Sequence, residues 1–313
     1  MPATESTIDQ VAITLAALAY QSQADLMRAL CDASLATQNE WTLRWGQATH
    51  MGNLAYVVGD GSGRYCIAVR GTIMSIADIF EDVDVELTAV PGVRDGTPMV
   101  TRGWADAVEH LLEARPPSGS PGAGTQLKSF LGTLPRGATV YVTGHSLGAA
   151  TAQVLACWLT ETFPALTVEP HTFANPTAGT ADFAAYFADR LPTSVRWDNV
   201  NDNIPKGYGR LADIRASYAS AGPLKCPESA RIALDVLELL VDGKEFVQAG
   251  TSSPRIELPI VPVASGTTSE QWYAQMGVQH SSYTYLRLLD APLVPGHPSV
   301  PWPPQSLPAP CNT

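Results

Sequence analysis

Apolar positions recur along this chain first at helical and then at strand spacing. From about residue 8 to 35, Val11, Leu15, Leu18, Ala19, Leu26 and Leu30 follow the three-to-four-residue period of a helix face, which predicts a helix or a helix pair. "NLAYVVGDGSGRYCIAVRGT" places two β-rich runs around "GDGSG", a turn signal, and so predicts a hairpin. "GWADAVEHLLEA" returns to helical spacing and stops at "RPPSGSPGAG", a Pro/Gly/Ser loop. "TQLKSFLGTLP" then predicts a helix, "ATVYVTG" a strand, and "LGAATAQVLACWLTETF" a second helix.

The alternation continues. "LTVEPHTFANP" and "SVRWDNVN" read as strands on either side of the helical "ADFAAYFADRL". Strands alternating with helices predict a mainly parallel central sheet with helices on both faces. "ESARIALDVLELLVDG" and "SSYTYLRLLDA" are further helix candidates, and the proline-dense tail 291–313 should run extended over the surface. The reading is one domain over 1–313, with an inserted helical segment around 206–265.

A chain of 313 residues, 45% hydrophobic and 16% charged, can bury a large core without metals or disulfides. Its net charge of −11 argues against a nucleic-acid partner and against strongly anionic membranes. No run approaches the roughly 18 apolar residues of a spanning helix. The N-terminal apolar patch lacks a preceding basic region and reads poorly as a signal peptide, but a mature secreted chain given a new Met would look the same, so the compartment stays open. Cys66 and Cys157 lie in apolar runs and read as core residues; Cys31, Cys226 and Cys311 could supply one bridge. With neither a CxxC pair nor a histidine cluster, the pattern offers no zinc site.

The chemistry concentrates in "VYVTGHSLGAATAQVL", where G-x-S-x-G lies between a predicted strand and a predicted helix. Such a turn holds its serine in a strained conformation above the sheet, and Gly144 and Gly148 supply the missing bulk where strand and helix approach. Ser146 would then stand at the positive end of the following helix, with the Leu147 backbone N–H as an oxyanion donor.

A serine hydroxyl needs a base. The order serine, acid, histidine leaves His280 and His297 as bases; His280 precedes a helical pattern in what reads as a polar loop, and it is preferred over His297, set between Gly and Pro. His171 reads as a packed histidine, and His145 as too close in sequence to reach its neighbour. "VRWDNVNDNIPKGYG" offers Asp198 inside a strand and Asp202 beyond its carboxyl end, where it can reach the site; Asp202 is preferred, against an ordinary turn role.

These segments together resemble the class 3 lipase family of filamentous-fungal triacylglycerol lipases and their bacterial relatives. The resemblance rests on "VRGT" (69–72), "TRGWADA" (101–107), "VTGHSLGAA" (142–150), "TFANPTAG" (172–179) and "NVNDNIP" (199–205), in the family's order, with His280 as a distant anchor. Ala149 stands where relatives often have glycine, as does Asn175, and 77 residues separate Asp202 from His280. The resemblance implies an α/β-hydrolase-like fold, a Ser146–Asp202–His280 triad, Thr72 as a further oxyanion donor, and hydrolysis of acyl glycerides by a lipase or esterase without a cofactor. A phospholipase A1 or aryl-ester esterase would use the same chemistry, and a catalytically silent interaction module is the alternative of another class. The expected partner is a small ester or a lipid, met in passing at a lipid–water interface. A family lid would fall at 73–85, where Ile73, Ile76, Ile79 and Phe80 oppose Asp78, Glu81, Asp82 and Asp84; a fixed surface helix has the same pattern, and 228–241 is a second lid candidate.

Overall fold

The computed structural model describes residues 6–71, 85–94, 98–219, 227–252 and 269–296. Helices α1 (Ile8–Leu18) and α2 (Gln23–Leu30) lead into the antiparallel strands β1 (Thr42–His50), β2 (Asn53–Gly59) and β3 (Arg64–Val69). Short β4 (Leu87–Ala89) and β5 (Met99–Thr101) precede α3 (Arg102–Glu113) and the brief α4 (Leu127–Leu131). Then come β6 (Thr139–His145), α5 (Leu147–Thr162), β7 (Thr167–Phe173), β8 (Gly179–Thr180), α6 (Ala181–Arg190) and β9 (Val195–Trp197). A 3₁₀ turn at Ile204–Lys206 leads to α7 (Leu211–Ala219), α8 (Glu228–Val241), β10 (Phe246–Val247), β11 (Thr251–Ser252), α9 (Ser269–His280) and α10 (Ser282–Leu288).

The central sheet has the order β1-β2-β3-β6-β7-β9-β11 and is parallel from β3 onward. A strand covered on both faces must be apolar at odd and even positions alike. β2, β3 and β6 meet this: Val57, Ile67, Val69, Val140 and Val142 pack on one face with α3 and α5, while Tyr56, Val58, Cys66, Ala68 and Tyr141 pack on the other with α1, α2 and α10. The expected α/β-hydrolase-like architecture, with a mainly parallel sheet between helical layers, is therefore present. No described helix is long and apolar enough to cross a membrane.

Helix α1 starts at a reciprocal capping box: the Gln10 amide donates to the Thr7 side chain and the Thr7 amide donates to the Gln10 side chain. Such a cap stabilises a helix start by about 1 kcal/mol. The helix then lies across the sheet with Val11 to Leu18 buried, Thr143 donating to the Ala12 carbonyl and Tyr56 to that of Leu15. That anchoring sets Tyr20, just beyond α1, beside the carboxyl ends of β3 and β6.

Several expectations need correction. "TQLKSFLGTLP" forms only the five-residue α4, because Gly132 and Pro135 crowd its end. Beyond the predicted elements stand β1 and the small sheet β10-β8-β5-β4, whose strands of two or three residues are too short to show a period. The segment around 206–265 is more than helical: β10 joins the small sheet and β11 extends the central one beside β9. Its helices α7 and α8 form, with Trp272 and Met276 of α9, a separate hydrophobic cluster. Cys66 and Cys157 are buried free thiols as expected, and Cys31 is an exposed free thiol. Thr72, most of the 73–85 lid candidate, Cys226, His297 and Cys311 lie outside the described residues, as does the tail beyond 296.

Candidate active site

Ser146 is the single residue between β6 and α5, with φ 63° and ψ −134°. Positive φ is costly for a residue with a Cβ and persists only where its surroundings enforce it. They do so here: the Ser146 amide donates to the Phe173 carbonyl at 3.0 Å, which ties the turn to β7. A Cβ on Gly144 would fall 2.3 Å from the Gly148 carbonyl oxygen, and one on Gly148 would fall 2.5 Å from the Val69 oxygen and 2.7 Å from the Gly71 nitrogen. Gly144 thus lets strand meet helix, while Gly148 lets the helix meet the end of β3, a contact the sequence reading did not assign. Leu147 opens α5, ahead of the helix's first backbone bond, Ala149 N–H to the Ser146 carbonyl, and at the positive end of the helix dipole.

The three residues singled out from the sequence come together. His280 Nε2 is 2.7 Å from Ser146 Oγ, and His280 Nδ1 is 2.9 Å from Asp202 Oδ2. All three are buried, Asp202 at 1% exposure. A carboxylate can only accept, so Nδ1 carries the proton and Nε2 is left to accept from the serine hydroxyl.

Asp202 stands in the loop after β9, the carboxyl end of a parallel strand, as its position predicted. Its Oδ1 accepts from the Ile204 amide at 2.9 Å, and its Oδ2 also accepts from the Tyr285 hydroxyl at 2.9 Å. Tyr285 was missed in the sequence. It is fully buried, and that burial pushes its phenol well above the ordinary value, so it stays a protonated donor. The Asn199 amide donates to the same hydroxyl, and the Asn199 side chain donates to the Gln279 carbonyl and side-chain oxygens. The acid loop is thereby stitched to the end of α9. The only signal in the sequence was the spacing of Tyr285 from His280 across a break, which no periodicity marks as functional.

His280 is the last residue of α9, not part of a polar loop as the sequence suggested. The polar residues around it misled: Gln275 and Gln279 face inward and are buried, so their polarity reports an internal network rather than solvent. Asp198 does not face the histidine. Its carboxylate pairs with Arg196, and burial, outweighing Arg196, pushes it up to about 6.

A carboxyl group raised on folding is destabilising once ionised. Between its unfolded value, about 4, and its folded one, the folded chain binds the extra proton, so the stability from this group is highest at low pH and falls as pH rises through that window. Asp198→Asn is accordingly expected to gain Tm relative to the parent as pH goes from 4 to 7; a constant difference across that range would contradict the assignment.

His145, set aside from the sequence as too close to Ser146, turns away from it and packs behind His280, with ring centroids 4.7 Å apart. His171 is a packed histidine as expected, with Nδ1 2.7 Å from Asp9 Oδ1.

Residues 66–210 match the family model "Lipase (class 3)", a span that carries the Ser146 turn and Asp202 and ends short of His280. No curated protein matches the chain. Among solved structures, M37 lipase superposes with a TM-score of 0.79 and 24% identity, covering 91% of this chain and 94% of that one. Lipase II from Rhizopus niveus aligns at a TM-score of 0.47 and 20% identity, over 64% of this chain and 72% of that one. Rhizomucor miehei triacylglyceride lipase aligns at 0.48 and 21%, over the same shares.

Proposed function

From the premise that this chain is a lipase-like carboxylic ester hydrolase, we propose that it cleaves neutral acyl esters, acyl glycerides first among them, through an acyl-enzyme on Ser146. The observation that carries this reading is the continuous chain from Asp202 through His280 to Ser146, with the serine held at positive φ.

Ser146 Oγ attacks the ester carbonyl carbon as His280 Nε2 takes its proton. The carbonyl oxygen becomes an oxyanion, which the Leu147 amide receives at the start of α5. Thr72 is the second proposed donor; its neighbour Gly71 lies against the nucleophile, since a Cβ there would be 3.2 Å from Ser146 Cβ. The imidazolium then gives its proton to the leaving alcohol, and Asp202, held by Ile204 and Tyr285, stabilises that cation without taking the proton. Water repeats the sequence on the acyl-enzyme and releases the acid.

Contact with a lipid–water interface is supported by α8. Its inner stripe, Ala230, Leu234 and Leu237, packs into the third cluster, while Ile232, Val236, Leu239 and Leu240 are exposed, Leu239 by 78%. Arg231 beside this stripe is already paired with Glu228 and Asp235, so the surface offers apolar area with little unpaired positive charge and suits a neutral ester phase better than an anionic membrane.

Hydrolysis of p-nitrophenyl esters of increasing acyl length tests the substrate class. Long-chain preference with a rise in rate above substrate solubility is the expected result; preference for short, dissolved esters would make the protein an esterase. The double variant Ile232→Glu with Leu239→Glu should bind emulsions about tenfold or more less tightly while keeping its rate on dissolved short-chain ester. Equal adsorption by parent and variant would remove α8 from the interface.

A further inference from the structure

Resting on the proposed serine hydrolase reading, we propose that His145, braced by Tyr20, is a positioning residue that fixes the main chain of the base His280. His145 is buried and its Nε2 is 2.6 Å from the His280 carbonyl oxygen. A carbonyl only accepts, so Nε2 carries a proton, and in the neutral ring Nδ1 is then an acceptor. Nδ1 faces the Tyr20 hydroxyl at 3.2 Å. Burial drives the Tyr20 phenol far above its ordinary value, which keeps it a neutral donor. The Gly71 amide bonds the same phenol oxygen, and the fit is close enough that a Cβ on Gly71 would lie 2.3 Å from it.

One chain of hydrogen bonds therefore runs from the end of β3 through Tyr20 and His145 to the end of α9. Those segments adjoin the three parts of the site: Gly71 precedes the proposed donor Thr72, His145 precedes the nucleophile, and His280 is the base.

The bond to His280 has a specific task. His280 closes α9, where terminal carbonyls lack helical partners, and the chain turns at Ser281 to begin α10. Without His145 that carbonyl would lose this hydrogen bond, and the helix end would be free to shift. The His145 ring also lies against one face of the His280 imidazole, tilted by 37°. Displacing a reacting group by as little as about 1 Å can lower a rate on the order of 100-fold. A residue that merely filled space would not need its hydrogen-bonding atoms.

The test uses the full chain with His145→Leu, which fills the space without a donor, His145→Gln, whose amide can donate to the same carbonyl, and Tyr20→Phe. Active sites are titrated with a phosphonate ester so that kcat refers to folded enzyme. The expected results are a kcat about 100-fold lower for His145→Leu with KM changed less than about twofold, most of that loss recovered in His145→Gln, and a fall of about tenfold for Tyr20→Phe. The downfield proton NMR signal of the His280–Asp202 bond should broaden or move in His145→Leu and persist in His145→Gln.

Unchanged kcat per titrated site in His145→Leu, or equal losses in the leucine and glutamine variants with the NMR signal unmoved, would overturn the proposal. Should His145→Leu fail to fold, Tyr20→Phe decides: a kcat equal to that of the parent overturns it. Failure of the underlying reading looks different, because the parent would then hydrolyse no ester or Ser146→Ala would be as active as the parent, and the NMR comparison still tests the positioning role.

Discussion

Replacing Ser146 by alanine is expected to lower kcat on a p-nitrophenyl ester about 10⁶-fold while leaving the fold and Tm nearly unchanged. The size of the effect follows from the role proposed for the side chain: His280 Nε2 faces Ser146 Oγ, and the acyl-enzyme cannot form without that oxygen. Stability should hold because alanine keeps the Cβ and removes only a hydroxyl from a turn that the backbone enforces, through the Ser146 amide on Phe173 and the two flanking glycines. Residual catalysis would come from the Leu147 amide and substrate binding alone. Circular dichroism and thermal melting beside the assay separate lost chemistry from lost structure.

The next largest effect is expected at Asp202. Asp202→Asn preserves the shape but turns one face of the side chain into a donor, so that it either opposes His280 Nδ1–H or forces the other tautomer, in which Nε2 carries the proton and cannot accept from Ser146. A loss of about 10⁴-fold in kcat follows, by the size of effect such a swap has in a serine triad. Tyr285 sharpens the prediction, since its hydroxyl already donates to the same oxygen, Oδ2, and an amide NH₂ placed there would meet two donors. Asp198→Asn, four residues earlier, should cost less than about tenfold, because that carboxylate is engaged by Arg196 and does not touch His280. Equal losses from the two substitutions would mean that the acid has been assigned to the wrong residue.

The two residues also show what the sequence could say. Asp202 was legible because it follows a strand, and the carboxyl end of a parallel strand is where such folds place their sites. The Ser146 turn was legible because it needs two glycines at fixed positions, and the strained backbone of such a turn fixes its local pattern. The central strands were legible because burial on both faces leaves unbroken apolar runs, as in "AYVV" and "VYV".

What escaped depends on contacts between residues far apart in the chain. Tyr285 and Asn199 bind each other across 86 positions, and His145 reaches His280 across 135. Neither pair leaves a local period or spacing. His280 was singled out by order along the chain but placed on the wrong element, since α9 buries Gln275 and Gln279 beside Trp272 and Met276, and that mixed face does not read as an apolar stripe. The small sheet escaped for a different reason: strands of two or three residues are made by tertiary pairing, and their sequences have no preference strong enough to announce them.

The central claim is that Ser146 is a nucleophile activated by His280. The most direct measurement is covalent labelling with a p-nitrophenyl alkylphosphonate, followed by peptide mass spectrometry and by the rate of p-nitrophenol release in the parent and in His280→Ala. One adduct per chain is expected, on the peptide containing Ser146, with activity lost in proportion to labelling and a labelling rate at least about 10³-fold slower in His280→Ala. An adduct on another residue, or labelling of Ser146 as fast without the imidazole as with it, would contradict that claim.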